Sequence, residues 1–143
     1  KMIIASILHD AFIDNDDLSK ITQLDDEAFT SLSLDDQESF IAHPRKAAEM
    51  AGQLSGHSDI GFIIMQHHEL PSGEGFPHGW SSIKLTILSC IFILSYNFSN
   101  ISCDLELNSK NLKRIIRYLA KTYNVGNFKD PMKILANLLN ISI

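Results

Sequence analysis

Leu112, Ile115, Ile116, Leu119 and Ala120 recur at the spacing of one face of an α-helix, and nothing elsewhere in the chain answers with the period of a strand. Met132, Ile134, Leu135, Leu138 and Leu139 repeat the helical pattern after Asp130-Pro131, which supplies a helix start. There is no internal repeat and no low-complexity tract. The expected class is all-α. At 143 residues the chain is long enough for a single core, so one domain over residues 1–143 is expected.

The punctuation of the remaining chain places further helices. Residues 2–10 read as an apolar helix end. Residues 14–32 are acidic and broken, around Asp14-Asn15-Asp16-Asp17, and read as a loop with short helical turns. Ser33 is a good N-cap, with Asp35 and Asp36 in the first turn to complement the helix dipole. That helix runs towards Ala42. Pro44 predicts a kink or a fresh start at His43-Pro44, and residues 45–54 continue as helix to Gly56. Ser58 or Asp59 caps a helix carrying Ile60, Phe62, Ile63, Ile64 and Met65 that ends in His67-His68-Glu69. Residues 71–79 form a loop. Ser81 or Ser82 opens a long apolar helix to about Tyr96, residues 97–108 are polar and irregular, and Ser109 caps the periodic helix described first.

Hydrophobic residues make up 45% and charged residues 20%, which excludes disorder. With a net charge of -5 no basic field exists to gather phosphate backbones, so no nucleic-acid polymer is expected as partner. A small anion would need a local positive charge, such as a metal. Cys90 and Cys103 show no CxxC spacing and read as reduced core thiols of a cytoplasmic protein. The most apolar run, residues 85–96, is too short and too interrupted by serine to span a bilayer. The opening KMIIASILHD lacks the small-residue site of a cleavable signal. The chain starts with Lys rather than Met and can be a piece of something longer.

Chemistry concentrates in the histidines. His9-Asp10 ends one helix, His43 sits at a break, and His67-His68-Glu69 precedes Gly73-Glu74-Gly75-Phe76-Pro77. Adjacent histidines on a helix point about 100° apart and cannot share a hydrophobic face. Each of these positions lies where a helix terminus can bring it to a common point. Imidazole with carboxylate suits iron, manganese or zinc. An Asp beside a His can bridge two metals, and two close metals form a clamp for phosphoester hydrolysis.

In this order and at these distances, His9-Asp10, His43-Pro44, His67-His68-Glu69 and Gly73-x-Gly75-Phe76-Pro77 resemble the HD-GYP family. That is the branch of the HD metal-dependent phosphohydrolases associated with the bacterial second messenger cyclic di-GMP. The likeness covers most of the chain, including Asn127-Phe128-Lys129-Asp130-Pro131 at the start of the last helix. It implies an HD-type helical bundle holding two divalent transition-metal ions, iron or manganese. The activity it implies is phosphodiester hydrolysis through a metal-bridging hydroxide, with cyclic di-GMP as substrate or ligand. His9, His43, His67 and His68 would bind metal, and Asp10 would bridge. Glu69 would support the doublet by hydrogen bonding or loop ordering. Gly73, Gly75, Phe76 and Pro77 would shape a loop near the nucleotide. The family's first ligand-bearing helix would lie upstream of Lys1.

The departures from the family pattern are specific. Its lysine after His-Asp is Ile13 here, its loop aspartate is Ser72, and its Gly-Tyr-Pro tyrosine is Phe76, which keeps the ring and loses the hydroxyl. Its downstream acidic ligand falls at Leu94 or Asn97, with Asp104 as a candidate substitute, and its basic phosphate-gripping segment is missing. His57 and His78 read as surface loop residues, and Trp80 as a partly buried loop anchor with a secondary role in stacking on guanine. Two functions follow: a phosphodiesterase, or a degenerate module that binds metal, with or without the nucleotide, and signals through a protein partner.

Overall fold

The computed structural model of the chain is described over residues 1–14, 18–56, 58–103 and 105–143. All regular structure among these residues is helical: α1 (Met2–Leu8), α2 (Glu27–Thr30), α3 (Leu34–Ser55), α4 (Ser58–Met65), α5 (Ile87–Ser102), α6 (Ser109–Tyr123) and α7 (Lys129–Leu138). Short 3₁₀ turns cover Leu18–Lys20 and Gly126–Phe128. None of these helices is long and apolar enough to cross a membrane. The acidic stretch expected to be a broken loop holds the first 3₁₀ turn and α2; its residues 15–17 lie outside the described residues.

Asn108, not Ser109, caps α6, accepting from the Asn111 amide at 3.0 Å. The expectations for α3 and α5 also need correction, and both corrections bear on the site. The first concerns α3. Ser33 caps it, accepting from the Asp36 amide at 3.2 Å, and Gly56 ends it with φ 64°. Between them the helix is continuous through Pro44, so no fresh start occurs at His43-Pro44. Proline removes the amide that would have bonded the Phe40 carbonyl. His43 supplies a replacement: its Nδ1 lies 2.5 Å from that oxygen. The usual penalty of a mid-helix proline is therefore offset, and an imidazole is locked in place by the same bond.

The second concerns α5. It starts at Ile87, not at Ser81 or Ser82, because residues 81–85 are held by the rest of the fold. The Ser82 amide bonds the Pro71 carbonyl at 3.1 Å, and the Asn127 side chain bonds the Ile83 and Leu85 carbonyls. Thr86 is the cap, accepting from the Ser89 amide at 3.1 Å. At its other end α5 continues through Asn97 and Ser99 to Ser102, which were expected to be irregular. The polar side chains bond back within the helix rather than breaking it. Asn97 Nδ2 donates to the Ile93 carbonyl at 2.9 Å, and Ser102 Oγ to the Ser99 carbonyl at 3.0 Å. Phe98 and Ile101 then hold this last stretch against the core.

Packing divides into three apolar clusters. One joins α5, α6 and α7 around Ile93, Ile116, Leu119, Phe128 and Met132. A second joins α1, α3 and α4 through Ala5, Ala47, Ala51, Ile60, Ile63 and Ile64, and reaches α5 at Phe92. The third, Ile21, Phe29, Phe40 and Phe76, sits under the loops. The histidines collect where the second and third meet. Phe92 packs against His9 and His67 from one side, and Phe40 and Phe76 against His43 and His68 from the other.

Both cysteines are free, Cys90 buried and Cys103 exposed. Burial pushes the Cys90 thiol up to about 12, so it stays protonated at neutral pH and gives no thiolate. A maleimide at pH 8 is expected to label one thiol quickly in the native protein and two after denaturation. Two fast thiols in the folded protein would contradict this burial.

Candidate metal centre

Four imidazoles are each steered by a backbone carbonyl behind them. His43 Nδ1 faces the Phe40 oxygen at 2.5 Å, His67 Nδ1 the Ile64 oxygen at 2.6 Å, and His9 Nδ1 the Ser6 oxygen at 3.1 Å. His68 Nδ1 faces the Thr22 oxygen at a longer 3.4 Å. A carbonyl can only accept, so in each neutral ring Nδ1 carries the proton. Every Nε2 is left as a lone pair, which is how ligating histidines are prepared.

Those lone pairs converge. His43 Nε2 and His67 Nε2 lie 3.3 Å apart. Asp10 Oδ1 is 3.5 Å from the first and 3.4 Å from the second, while Oδ2 is 3.3 Å from His9 Nε2. One ligand atom each from Asp10, His43, His67 and His68 lies within 4.8 Å of the others. Two donors about 2.1 Å from a common ion at a tetrahedral angle stand about 3.4 Å apart, so these spacings match adjacent ligands. Three of the converging atoms, His9 Nε2, Asp10 Oδ1 and His68 Nε2, are buried with no hydrogen-bond partner. Lone pairs facing one another out of water repel, and a bound cation removes that cost. The residues present fit a transition-metal ion.

The local backbone explains why adjacent histidines can serve one centre. The doublet is not on α4, where its side chains would diverge. α4 ends at Met65, and residues 66–68 form a tightened turn in which the His67 amide bonds the Ile64 carbonyl and the Glu69 amide the Gln66 carbonyl. The two rings come to 4.0 Å between centroids.

Protonation favours the ligand state. Burial lowers the pKa of His9 and His67 and lowers that of His68 well below its ordinary value. Burial would raise the Asp10 carboxyl, but contacts with His43 and His67 and the charge of the surrounding rings outweigh it and hold the acid far below the usual carboxylate range. A stability consequence follows for the metal-free protein. The three lowered histidines take up protons in the unfolded chain first, as pH falls through their ordinary 6.5. Their contribution is present above that pH and lost below it. Asp10 adds no pH dependence in this range, since it stays ionised in both states. Chelator-treated protein is therefore expected to melt at steadily lower temperature from pH 7.5 to 5.5. A flat melting profile by circular dichroism would contradict the three shifts.

The loop after the doublet is built around Glu69, which is fully buried. Its carboxylate accepts the His78 amide at 2.8 Å and the Trp80 amide at 2.7 Å, tying both ends of the turn to the residue after the doublet. Phe76 is buried and stacks on His68, centroids 4.4 Å apart and planes 15° apart. Its amide bonds the His68 carbonyl at 3.2 Å, and its bond to Pro77 is cis. Gly75 presses on the doublet's own backbone: a Cβ there would lie 2.4 Å from Leu70 N and 2.5 Å from His68 O. Gly73, at φ 89°, faces Gly79 across the neck of the loop. His78 is exposed and stacks on the half-buried Trp80.

The departures from the family pattern also find their places. Ile13 packs against the loop cluster and Ser72 is an exposed turn residue. Leu94 is buried in the α5–α7 core, away from any ligand role. Asn97 lines a cavity of about 10 Å³ beside His67 and His68, room for a single water. His57 and Asp104 lie outside the described residues.

Tyr96 was missed by the sequence reading as a site residue. Its ring packs edge-on against His9, His67 and His68 at 5.4–6.1 Å between centroids, and its hydroxyl donates to the Ser19 carbonyl at 2.9 Å. Burial pushes that phenol up to about 12, so it remains protonated. Its signal was the i, i+4 pairing with Phe92, which reads as ordinary core. Both rings line a cleft of about 570 Å³ between α1 and α5 that opens onto His9 and Asp10, with Ser6, Ser95 and Asn100 around it. Comparison of the chain with family models, curated proteins and solved structures gives no match.

Proposed function

We propose that this chain is a divergent HD-GYP-type domain, a metal-dependent phosphodiesterase-like module acting on cyclic di-GMP. The observation that carries the reading is the pair of Nε2 lone pairs 3.3 Å apart beside the unpartnered, buried Asp10 Oδ1. His43, His67 and His68 with Asp10 would hold one divalent ion, and in this reading His9 with Asp10 would help to hold a second, iron or manganese in each case. Bound there, the metals would polarise a phosphoryl oxygen and acidify a water. The chain's own part is to fix, through the carbonyl behind each ring, the tautomer whose Nε2 faces the centre, and to hold Asp10 ionised. The cleft between α1 and α5 would admit the scissile group from the side of His9 and Asp10, with Phe92 and Tyr96 as its wall. A cytoplasmic setting and a signalling partner belong to the same reading.

A second reading, a module that binds metal and nucleotide without turnover, is favoured by two placements. Phe76 spends its ring on His68 and has no hydroxyl to offer, and Ile13 packs into an apolar cluster where the family has a lysine. Elemental analysis of protein purified without chelator, followed by incubation with cyclic di-GMP, separates the two. About two transition-metal ions per chain with linear dinucleotide formed supports the enzyme. Metal without product supports the binding module. A chain that takes up no metal sinks both.

A further inference from the structure

The net charge of -5 conceals a segregation of sign along the chain. Residues 105–143 hold seven of the twelve Lys and Arg against two acids, Glu106 and Asp130. Five of the seven, Lys110, Lys113, Arg114, Arg117 and Lys121, lie on α6, which contains no acid. The expectation that no basic field exists holds for the sum and fails for this helix. All five are exposed, and none forms an ion pair among the described residues.

This arrangement works against the helix. Lys110–Arg114, Lys113–Arg117 and Arg117–Lys121 are like-charge pairs at the spacing of surface neighbours. Lys110 stands in the first turn, where the dipole favours an acid. The apolar face of α6 is already committed to the core through Ile115, Ile116, Leu119 and Tyr123. Among the described residues the basic face therefore has no partner inside the fold, and a local cost without a structural return marks a site.

The face also has a shape. Arg114, Arg117 and Lys121 border a groove of about 570 Å³ whose apolar side is Ile101, Leu105 and Ile115. Tyr118 lines the same groove and is 61% exposed. From Arg114 to Lys121 the helix rises about 10 Å, the length of a nucleotide rather than of a polymer tract. Guanidinium forks match phosphate oxygens, and an exposed phenol ring offers a stacking face to a base.

We propose that the α6 groove binds a small phosphate-bearing nucleotide, its phosphates on Arg114, Arg117 and Lys121 and its base on Tyr118. A polymer suits the charge distribution less well. Residues 1–104 hold fifteen acids against five Lys and Arg, so an extended polyanion meets repulsion beyond the groove. A small ligand stays within about one Debye length, ~8 Å, of the cations. The groove shares no lining residue with the cleft at the metal centre, so this site does not depend on the hydrolytic reading.

The test is calorimetric titration of the full chain in EDTA with GDP, with ADP and with inorganic pyrophosphate. Saturable binding of the nucleotides below about 1 mM is expected, with pyrophosphate weaker. The Arg114→Ala/Arg117→Ala double variant should lose about tenfold or more in affinity for all three probes, and Arg114→Gln/Arg117→Gln should reproduce that loss. Tyr118→Ala should weaken the nucleotides and leave pyrophosphate unchanged. Binding should persist in an Asp10→Ala background; its loss there would put the nucleotide at the histidine centre and overturn the proposal. So would equal binding by the arginine variants, or no heat at millimolar nucleotide. Binding of an RNA oligomer or an anionic vesicle without nucleotide binding, or self-association that salt abolishes, would assign the face to another partner and overturn it too.

Discussion

Asp10→Asn is expected to have opposite effects on the metal-bound and the metal-free protein. The carboxylate is the one anion among the four imidazoles, and its oxygens lie 3.3–3.5 Å from His9, His43 and His67 Nε2. Converting it to an amide removes the charge that offsets the cation and replaces one acceptor by a donor. Metal affinity should fall on the order of 100-fold or more, beyond the loss caused by disturbing a residue that only supports a ligand. Any phosphodiesterase activity should fall with it. Without metal the sign reverses. The new N–H can donate to the His43 and His67 lone pairs, which in the parent protein face only Asp10 and each other. Chelated Asp10→Asn should therefore melt at or above the chelated parent, by roughly 1 kcal/mol of stability per hydrogen bond formed. Asp10→Ala should lose the metal without this gain. Elemental analysis and paired melts in EDTA check both signs. Unchanged metal content in the two variants would remove Asp10 from the centre.

The contrast between what the sequence disclosed and what it hid follows from the range of the forces involved. α6 was legible because its apolar stripe repeats at 3.6 residues, although its cap is Asn108 rather than the expected Ser109. The run of α3 through Pro44 was not, because the proline rule is local. The bond that offsets it comes from a side chain whose orientation depends on the packed site. The start of α5 was expected at Ser81 or Ser82 and falls instead after Thr86. Asn127, more than forty residues away, settled it by holding the Ile83 and Leu85 carbonyls. The ligand candidates were legible as residue types at helix ends, and the fold brings His9, Asp10, His43, His67 and His68 to one place. Their mutual distances were not legible, since adjacent histidines converge only because the helix ends at Met65. Tyr96 stayed hidden because an aromatic paired with Phe92 on an apolar helix reads as core until the rings beside it are known.

Gly75→Ala is expected to be the most damaging change in the loop. The added methyl carbon would lie 2.4 Å from Leu70 N, 2.5 Å from His68 O and 2.6 Å from Glu69 Cα. All three are backbone atoms of the doublet and its successors, so no flexible side chain can swing away. Either the loop lifts or the doublet shifts. If the loop lifts, the Phe76 amide loses the His68 carbonyl and the ring leaves its stack on His68. If the doublet shifts, the His67 and His68 nitrogens leave their converging positions. Overpacking of this kind costs about 3 kcal/mol, the upper part of its usual range. That corresponds to a melting temperature lower by roughly 6–12 °C. Gly52→Ala provides the control: nothing lies within 4 Å of the added carbon, and the position is interior to α3. There alanine should stabilise by about 0.5–1 kcal/mol, since it removes freedom from the unfolded chain at no steric cost. Metal content separates the two routes open to Gly75→Ala. A destabilised variant that still holds its metal has lifted the loop, and one that has lost it has moved the doublet. A variant that melts with the parent would mean that Gly75 does not press on His68 and Leu70, and the loop could not then be what holds Phe76 over the site.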